Sequence, residues 1–354
     1  MSISRGDILR GDDDRKTDGE GLVMRYGYAC ISMQLSYPQK WGNQPKGIQP
    51  ITTGRSMIRR TYDSKGHDYA SELTLANCRD LDSIMDWNVG QGYDFYRITS
   101  GLAPWKSEYE WSDLKDIEDI KWHLESVGLK ASTHDVRITC HPGPFNVLTS
   151  PHEHVVKNCI GDLTDHADVF DMMGLSRTPY NKINIHLGGA YGDKESAMER
   201  FCKNFEQLPE SAQTRLTVEN DDKASMYSVQ ELYDGIYKRI GIPIVFDYHH
   251  HRFCDGGLTE QEALELAMST WPKDIVPVVH YSESRSKEQM DESIKPQAHS
   301  DYVYDYINTY GNDVDIMIEA KHKELAVDKY KQLHQRYHQS NSLFDKKSNN
   351  YIYG

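Results

Sequence analysis

The sequence predicts a single-domain α/β barrel of the TIM (β/α)8 type. Two observations carry this. Eight short apolar runs, separated by stretches with helical spacing, read as parallel strands joined by crossover helices. Five of those runs end, at their C-terminal side, in His186, Glu219, Asp247, His280 and Glu319, and in a barrel all strand C-termini meet on the face where active sites are built. The 354 residues suit one barrel of about 250 residues plus extensions, and no internal repeat or second domain boundary is visible.

Taken in order, residues 1–22 read as a disordered leader, with Asp12, Asp13 and Asp14 followed by Arg15 and Lys16 between glycines. The first strand candidate is Met24–Cys30. Residues 38–67 read as a long loop punctuated by Pro38, Gly42, Pro45, Gly47, Pro50 and Gly54; loops of this length in a compact domain are commonly functional. A helix over Thr74–Trp87 aligns Cys78, Leu81 and Met85 on one face. The strands Asp94–Ile98, Val136–Cys140, Asn181–His186, Arg215–Glu219, Pro243–Asp247, Ile275–His280 and Asp315–Glu319 follow. His299 opens a helical pattern with Tyr302 and Ile307. A last helix, Lys321–Tyr337, repeats Ala326, Tyr330, Leu333 and Tyr337. The barrel domain thus spans 23–338, and 339–354 reads as a polar tail.

A histidine or acid at one strand end is ordinary, because buried polar groups at the rim of a core find hydrogen bonds. Five on one face, with His141 directly after a sixth run, point to a metal centre. Carboxylates bridge cations, histidines complete the shells, and a mixed N/O donor set suits Mn, Zn or Fe. Two or three cations about 4 Å apart serve in-line phosphoryl transfer. In the run His249, His250, His251, the spacing of three lets Asp247 and His250 both reach the pocket through a short turn, leaving His249 and His251 to support it or face solvent. The six cysteines are scattered without a CxxC pair and read as free thiols. No apolar run reaches the about 18 residues of a membrane span, and residues 1–20 lack a signal-peptide core. A cytoplasmic or nuclear, non-secreted protein is expected.

The net charge of -14 argues at first against a polyanion partner. The charge is unevenly spread, however. Residues 38–67 hold Lys40, Lys46, Arg55, Arg59, Arg60 and Lys65 against Asp63 alone, a net +5; residues 321–354 are +4, and residues 68–320 are -22. The loop follows the first strand, so it lies on the active face, and Tyr37, Trp41 and Tyr62 offer rings for stacking.

At this point the sequence resembles the UV damage endonucleases, metal-dependent TIM-barrel repair enzymes related in fold to endonuclease IV. The resemblance is carried, in order, by Arg25–Leu35 (RYGYACISMQL), Trp87–Asn88 before Tyr96–Ser100 (YRITS), and His141–Phe145 (HPGPF). It continues through Ile185–Lys194 (IHLGGAYGDK), Val218–Asp222 (VENDD), Phe246–His251 (FDYHHH), His280–Ser282 (HYS), Ala298–Tyr302 (AHSDY) and Ile318–Glu324 (IEAKHKE), covering about residues 23–335.

The resemblance implies a centre of up to three metal ions, Mn foremost, with Glu219, Asp247, His280 and Glu319 as its catalytic core. One cation would take His141, His186 and Glu219. A second would take Glu219, Asp247, His280 and Glu319, with Glu219 bridging, and a third His250 and His299. It further implies nicking of duplex DNA 5′ to cyclobutane dimers and 6-4 photoproducts, with a 3′ hydroxyl left behind, and action on abasic sites, by a monomer without an obligate protein partner. Tyr28, Ser32, Pro144, Phe145, Arg59 and Arg60 are the expected contacts to DNA or lesion. Three departures stand out: Pro144 replaces the usual Gln beside the wedge Phe145, Ser32 replaces Asn, and Val278 replaces Lys. A general abasic-site endonuclease of the endonuclease IV type, a metal-dependent sugar isomerase on the same scaffold, and a non-catalytic binding protein are the alternatives.

Overall fold

In the computed structural model, which describes residues 24–334, eight parallel strands close into a barrel in sequence order. They are β1 (Tyr26–Ala29), β2 (Phe95–Ile98), β3 (Arg137–Cys140), β4 (Ile183–His186), β5 (Leu216–Glu219), β6 (Ile244–Asp247), β7 (Val278–Tyr281) and β8 (Asp315–Ile318). Tyr26 pairs with Ile316 and Gly27 with Met317 to close the ring. The expected leader 1–22 and tail 339–354 lie outside the described residues.

Strand alternation divides the barrel into two cores. Tyr28, Tyr96, Ile138, Ile183, Ile185, Val218, Phe246, Val279 and Ile316 point outward into one large cluster with the surrounding helices. Residues of the opposite parity, Ala29, Phe95, Val245, Val278 and Met317, form a separate inner layer capped by Trp271. Gly27 is required by that inner packing: a Cβ there would lie 2.7 Å from the Phe95 ring and 2.9 Å from Met317 Cε. At the N-terminal end, fully buried Asp315 accepts from Arg137 Nη1 at 2.8 Å and from Arg25 Nη1 at 3.2 Å. The inner layer therefore runs from an ionic floor through an apolar middle to a polar mouth.

The helix expected over Thr74–Trp87 is longer, Arg59–Gln91, and buries the expected Cys78, Leu81 and Met85. It ends on Gly92 in the left-handed region (φ 77°), the usual C-terminal stop. The loop expected to reach residue 67 therefore stops at Ile58. Gly66, which reads as a breaker, is absorbed as a kink (φ 63°, ψ -155°). The arm before it is held by the Arg59–Asp63 ion pair (2.8 Å) and by buried Tyr62, stacked on Trp105. The pattern at 299–307 is not a helix. His299 instead forms an antiparallel bridge with Ser284, because Glu288 and Glu283 take the backbone amides of residues 301–302 and 304–305. In the last helix, 323–334 as described, Ala326 and Tyr330 are buried as expected, together with Val327, while Leu333 is 45% exposed, so the stripe departs from the expected one at Leu333; Tyr337 lies outside the described residues. All six cysteines are free.

Candidate metal centre

The strand-end residues converge at the barrel mouth around Glu219, which is almost fully buried. His141 Nε2 lies 3.2 Å and His280 Nδ1 3.1 Å from Glu219 Oε2, and His250 Nδ1 lies 3.2 Å and His186 Nε2 4.0 Å from Oε1. His280 Nδ1 is also 3.2 Å from Glu319 Oε1. Three groups result, each with one donor atom per residue and all atoms within 4.8 Å: His141, His186, Glu219; Glu219, Asp247, His250; and Asp247, His280, Glu319. The local backbone explains the second group. Asp247 ends β6 and caps the turn Tyr248–His251 by accepting from His250 N at 2.8 Å with Oδ1, which leaves Oδ2 without a hydrogen bond.

These groups can hold divalent cations, and the fit rests on how the polar atoms are left. Asp247 Oδ2 and His280 Nδ1 are buried and make no hydrogen bond, although His280 Nδ1 faces two carboxylates. Buried polar atoms without partners are costly, and a shared cation is what such a donor set satisfies. His141 Nδ1 donates to the Pro142 carbonyl (3.1 Å), which turns its Nε2 lone pair toward Glu219. His299 stands outside the three groups. Its Nδ1 donates to the Glu319 carbonyl at 2.8 Å, and its ring centroid is 6.3 Å from that of His250. His249 and His251 are buried, so neither faces solvent.

The electrostatics follow from packing. Burial pushes the Glu219 carboxyl up, but His280, His186, His141 and His250 outweigh it and hold it well below the usual range. Burial likewise opposes ionisation of Glu319, and Arg97 and His280 overcome it. Asp247, deeply buried and close to Glu219 and Glu319, is pushed up to about 6. Burial drives His280 down to about 4.

Several supporting residues carry no signal in the sequence pattern. Arg97 on β2 forms an ion pair with Glu319, and Asn184 on β4 donates to Glu219 Oε2. Thr217 in turn donates to Asn184 Oδ1 at 2.7 Å. Asn220 brackets Asp247 through its backbone amide (2.8 Å) and carbonyl (3.0 Å). Asp221 Oδ1 lies 3.3 Å from His186 Nδ1, the carboxylate–histidine pairing that orients metal ligands. Lys182 Nζ sits 3.1 Å from His280 Nε2. Arg97, Asn220 and Asp221 fall within matched segments, whereas Lys182, Asn184 and Thr217 lie just outside them, on or directly before strands that end in expected ligands.

Of the expected DNA contacts, Phe145 is 88% exposed and Pro144 is exposed beside it on the loop after β3. Tyr28 is not at the surface. Its strand parity points it outward beneath the helix Arg59–Gln91, fully buried, where its hydroxyl donates to Asn88 Oδ1 at 2.6 Å. Ser32 is also buried, capping the short helix Met33–Ser36 and donating to Glu324 at 3.0 Å. Neither can touch DNA in this conformation. Arg59 is engaged by Asp63 and by Glu108 (2.7 Å), and Arg55 by Asp80 (2.7 Å). Arg60 is exposed and forms no ion pair among the described residues. Tyr62, being buried, offers no ring for stacking.

No helix among the described residues is long and apolar enough to cross a membrane. Comparison with known proteins agrees with the geometry. Residues 24–347 match the family model "UV-endonuclease UvdE". The UV DNA damage endonuclease of Bacillus cereus (strain Q1) is 33% identical over 318 residues, covering 86% of this chain and 93% of the relative. That of Bacillus mycoides (strain KBAB4) is 32% identical with the same coverage. The crystal structure of SacUVDE superposes with a TM-score of 0.73 at 28% identity, over 89% of this chain and 99% of that one. A closed eight-stranded barrel with a His/carboxylate centre at its mouth, matched along nearly its whole length, belongs to the UV-endonuclease UvdE family.

Proposed function

We propose that this chain nicks duplex DNA on the 5′ side of cyclobutane dimers and 6-4 photoproducts, leaving a 3′ hydroxyl, with abasic sites as a further substrate, and that it acts as a monomer. The observation that carries the reading is the clustering of three His/carboxylate groups at the barrel mouth, two of which share buried Glu219 and two Asp247. His141, His186 and Glu219 would hold one cation; Glu219, Asp247, His280 and Glu319 a second; and His250 with His299 a third, Mn foremost, with Zn and Fe accepted by the same donors. Divalent cations bound there supply Lewis-acid stabilisation of the phosphodiester and acidify water. Arg97 and Asn184 fix the two carboxylates, so the charge of the pocket is preorganised. Phe145, on an exposed loop at the same mouth, is an apolar side chain of the type that enters a base step and unstacks it.

The test is a UV-irradiated, end-labelled duplex incubated with the protein and Mn. A nick directly 5′ to the photoproduct, with an extendable 3′ end, is expected. Cutting at abasic sites alone would favour the endonuclease IV type of activity, and no cutting would end the proposal. Phe145→Ala should lower photoproduct nicking by about 10-fold or more, since unstacking a base step costs a few kcal/mol, while Mn affinity and melting temperature stay unchanged. Equal loss of nicking and of Mn affinity would assign Phe145 a structural role. Arg60→Ala should weaken duplex binding and lower the salt slope by about one phosphate contact, whereas Arg59→Ala, whose guanidinium is already paired, should leave the slope near wild type. Identical slopes for wild type and Arg60→Ala would remove Arg60 from the interface.

A further inference from the structure

Lys182 precedes β4, and alternation puts it on the same face as Asn184 and His186, inside the barrel. It is fully buried. Among the described residues its amine makes no ion pair; its hydrogen-bond partner is His280 Nε2 at 3.1 Å. A lysine buried without a carboxylate against it is costly, and nothing in the packing of the barrel demands one there. The two other basic side chains nearby are already committed, Arg97 to Glu319 and Arg137 to Asp315.

The ring between them is the informative part. His280 is itself fully buried, with Nδ1 3.1 Å from Glu219 Oε2 and 3.2 Å from Glu319 Oε1. A neutral imidazole has one donor and one acceptor nitrogen, so for Nδ1 to offer its lone pair beside the two carboxylates, Nε2 carries the proton and donates it to the Lys182 amine. The terminal torsion of a histidine is broad and roughly two-fold, so without a partner at Nε2 the ring is free to turn Nδ1 away. We propose that Lys182 is a positioning residue for the metal centre, holding the His280 ring with Nδ1 turned to Glu219 and Glu319. This inference rests on the metal-centre reading given above.

The test uses the full chain, stripped of metal, as wild type, Lys182→Met, Lys182→Gln, His280→Ala and the double variant Lys182→Met/His280→Ala. Mn binding is measured by titration calorimetry and melting is followed without metal. Lys182→Met should bind Mn 10- to 100-fold more weakly, the usual cost of losing an outer partner of a ligand. Its metal-free melting temperature should equal or exceed that of wild type, because an unpaired buried amine is removed. Lys182→Gln, with a polar end on a shorter stem, should recover part of the affinity. The double variant should bind no worse than His280→Ala, since both changes act through one ring. Unchanged Mn affinity in Lys182→Met, or a loss that adds in full to that of His280→Ala, overturns the proposal. So does a lowered melting temperature in both Lys182 variants, which marks a purely structural role. If wild type takes up no Mn, the metal-centre reading fails, and this inference falls with it.

Discussion

Glu219→Gln should reduce metal-dependent nicking by at least about 100-fold and leave the metal-free fold intact. Outer partners of metal ligands already cost 10–100-fold when lost, and Glu219 stands at the centre of four imidazoles. Glutamine keeps the shape but loses the charge and turns one of the two oxygens into a donor. Asn184 donates to Oε2, while the His250 Nδ1–H, held on the Asn220 carbonyl at 2.9 Å, faces Oε1, so either orientation of the amide sets its NH2 against a donor. Activity on irradiated duplex and Mn binding are measured side by side with circular dichroism. Nicking at the normal rate would show that Glu219 does not bridge the centre.

Asp315→Asn should be the most damaging change at the opposite end of the barrel, costing about 3–5 kcal/mol, the range for breaking a buried ion pair. Asp315 is fully buried and faces both Arg25 and Arg137. Arg25 retains Asp135 at 2.6 Å. Arg137, fully buried, keeps only carbonyl partners at Tyr180, Val276 and Pro179. Urea unfolding of the metal-free protein measures the difference. A loss below about 1 kcal/mol, the worth of an exposed pair, would mean that the floor tolerates the uncompensated charge.

The strands and the metal-capable residues were legible because both depend on local pattern: a short apolar run, then a polar residue where the run ends. The supporting residues were harder for a physical reason. In KINIH, Lys182 and Asn184 form the polar half of an alternating strand, which in a one-sided sheet faces water. A barrel buries both faces, so that half becomes the interior. The same parity moved Tyr28 the other way: the resemblance suggested a lesion contact, whereas its neighbours Gly27 and Ala29 take the inner face and send the ring into the outer core. The early start of the helix Arg59–Gln91 was hidden by Gly66, since a sequence does not tell a glycine that ends a helix from one that bends it. The net charge of the whole chain hides the basic segment 38–67, and within it Arg55 and Arg59 are held in ion pairs, which no local pattern of the sequence announces.

The closure of β1 on β8 also governs when the enzyme can come into being. The Arg25–Asp315 contact joins residues 290 positions apart, and Glu319, one residue beyond β8, is the last of the expected ligands in the chain. Contacts of such separation form late, because the entropy of closing the chain must be met before they reward it. A nascent polypeptide lacking its final strand has neither a sealed barrel nor a complete ligand set. A chain halted before its last strand is therefore expected to show no nuclease activity.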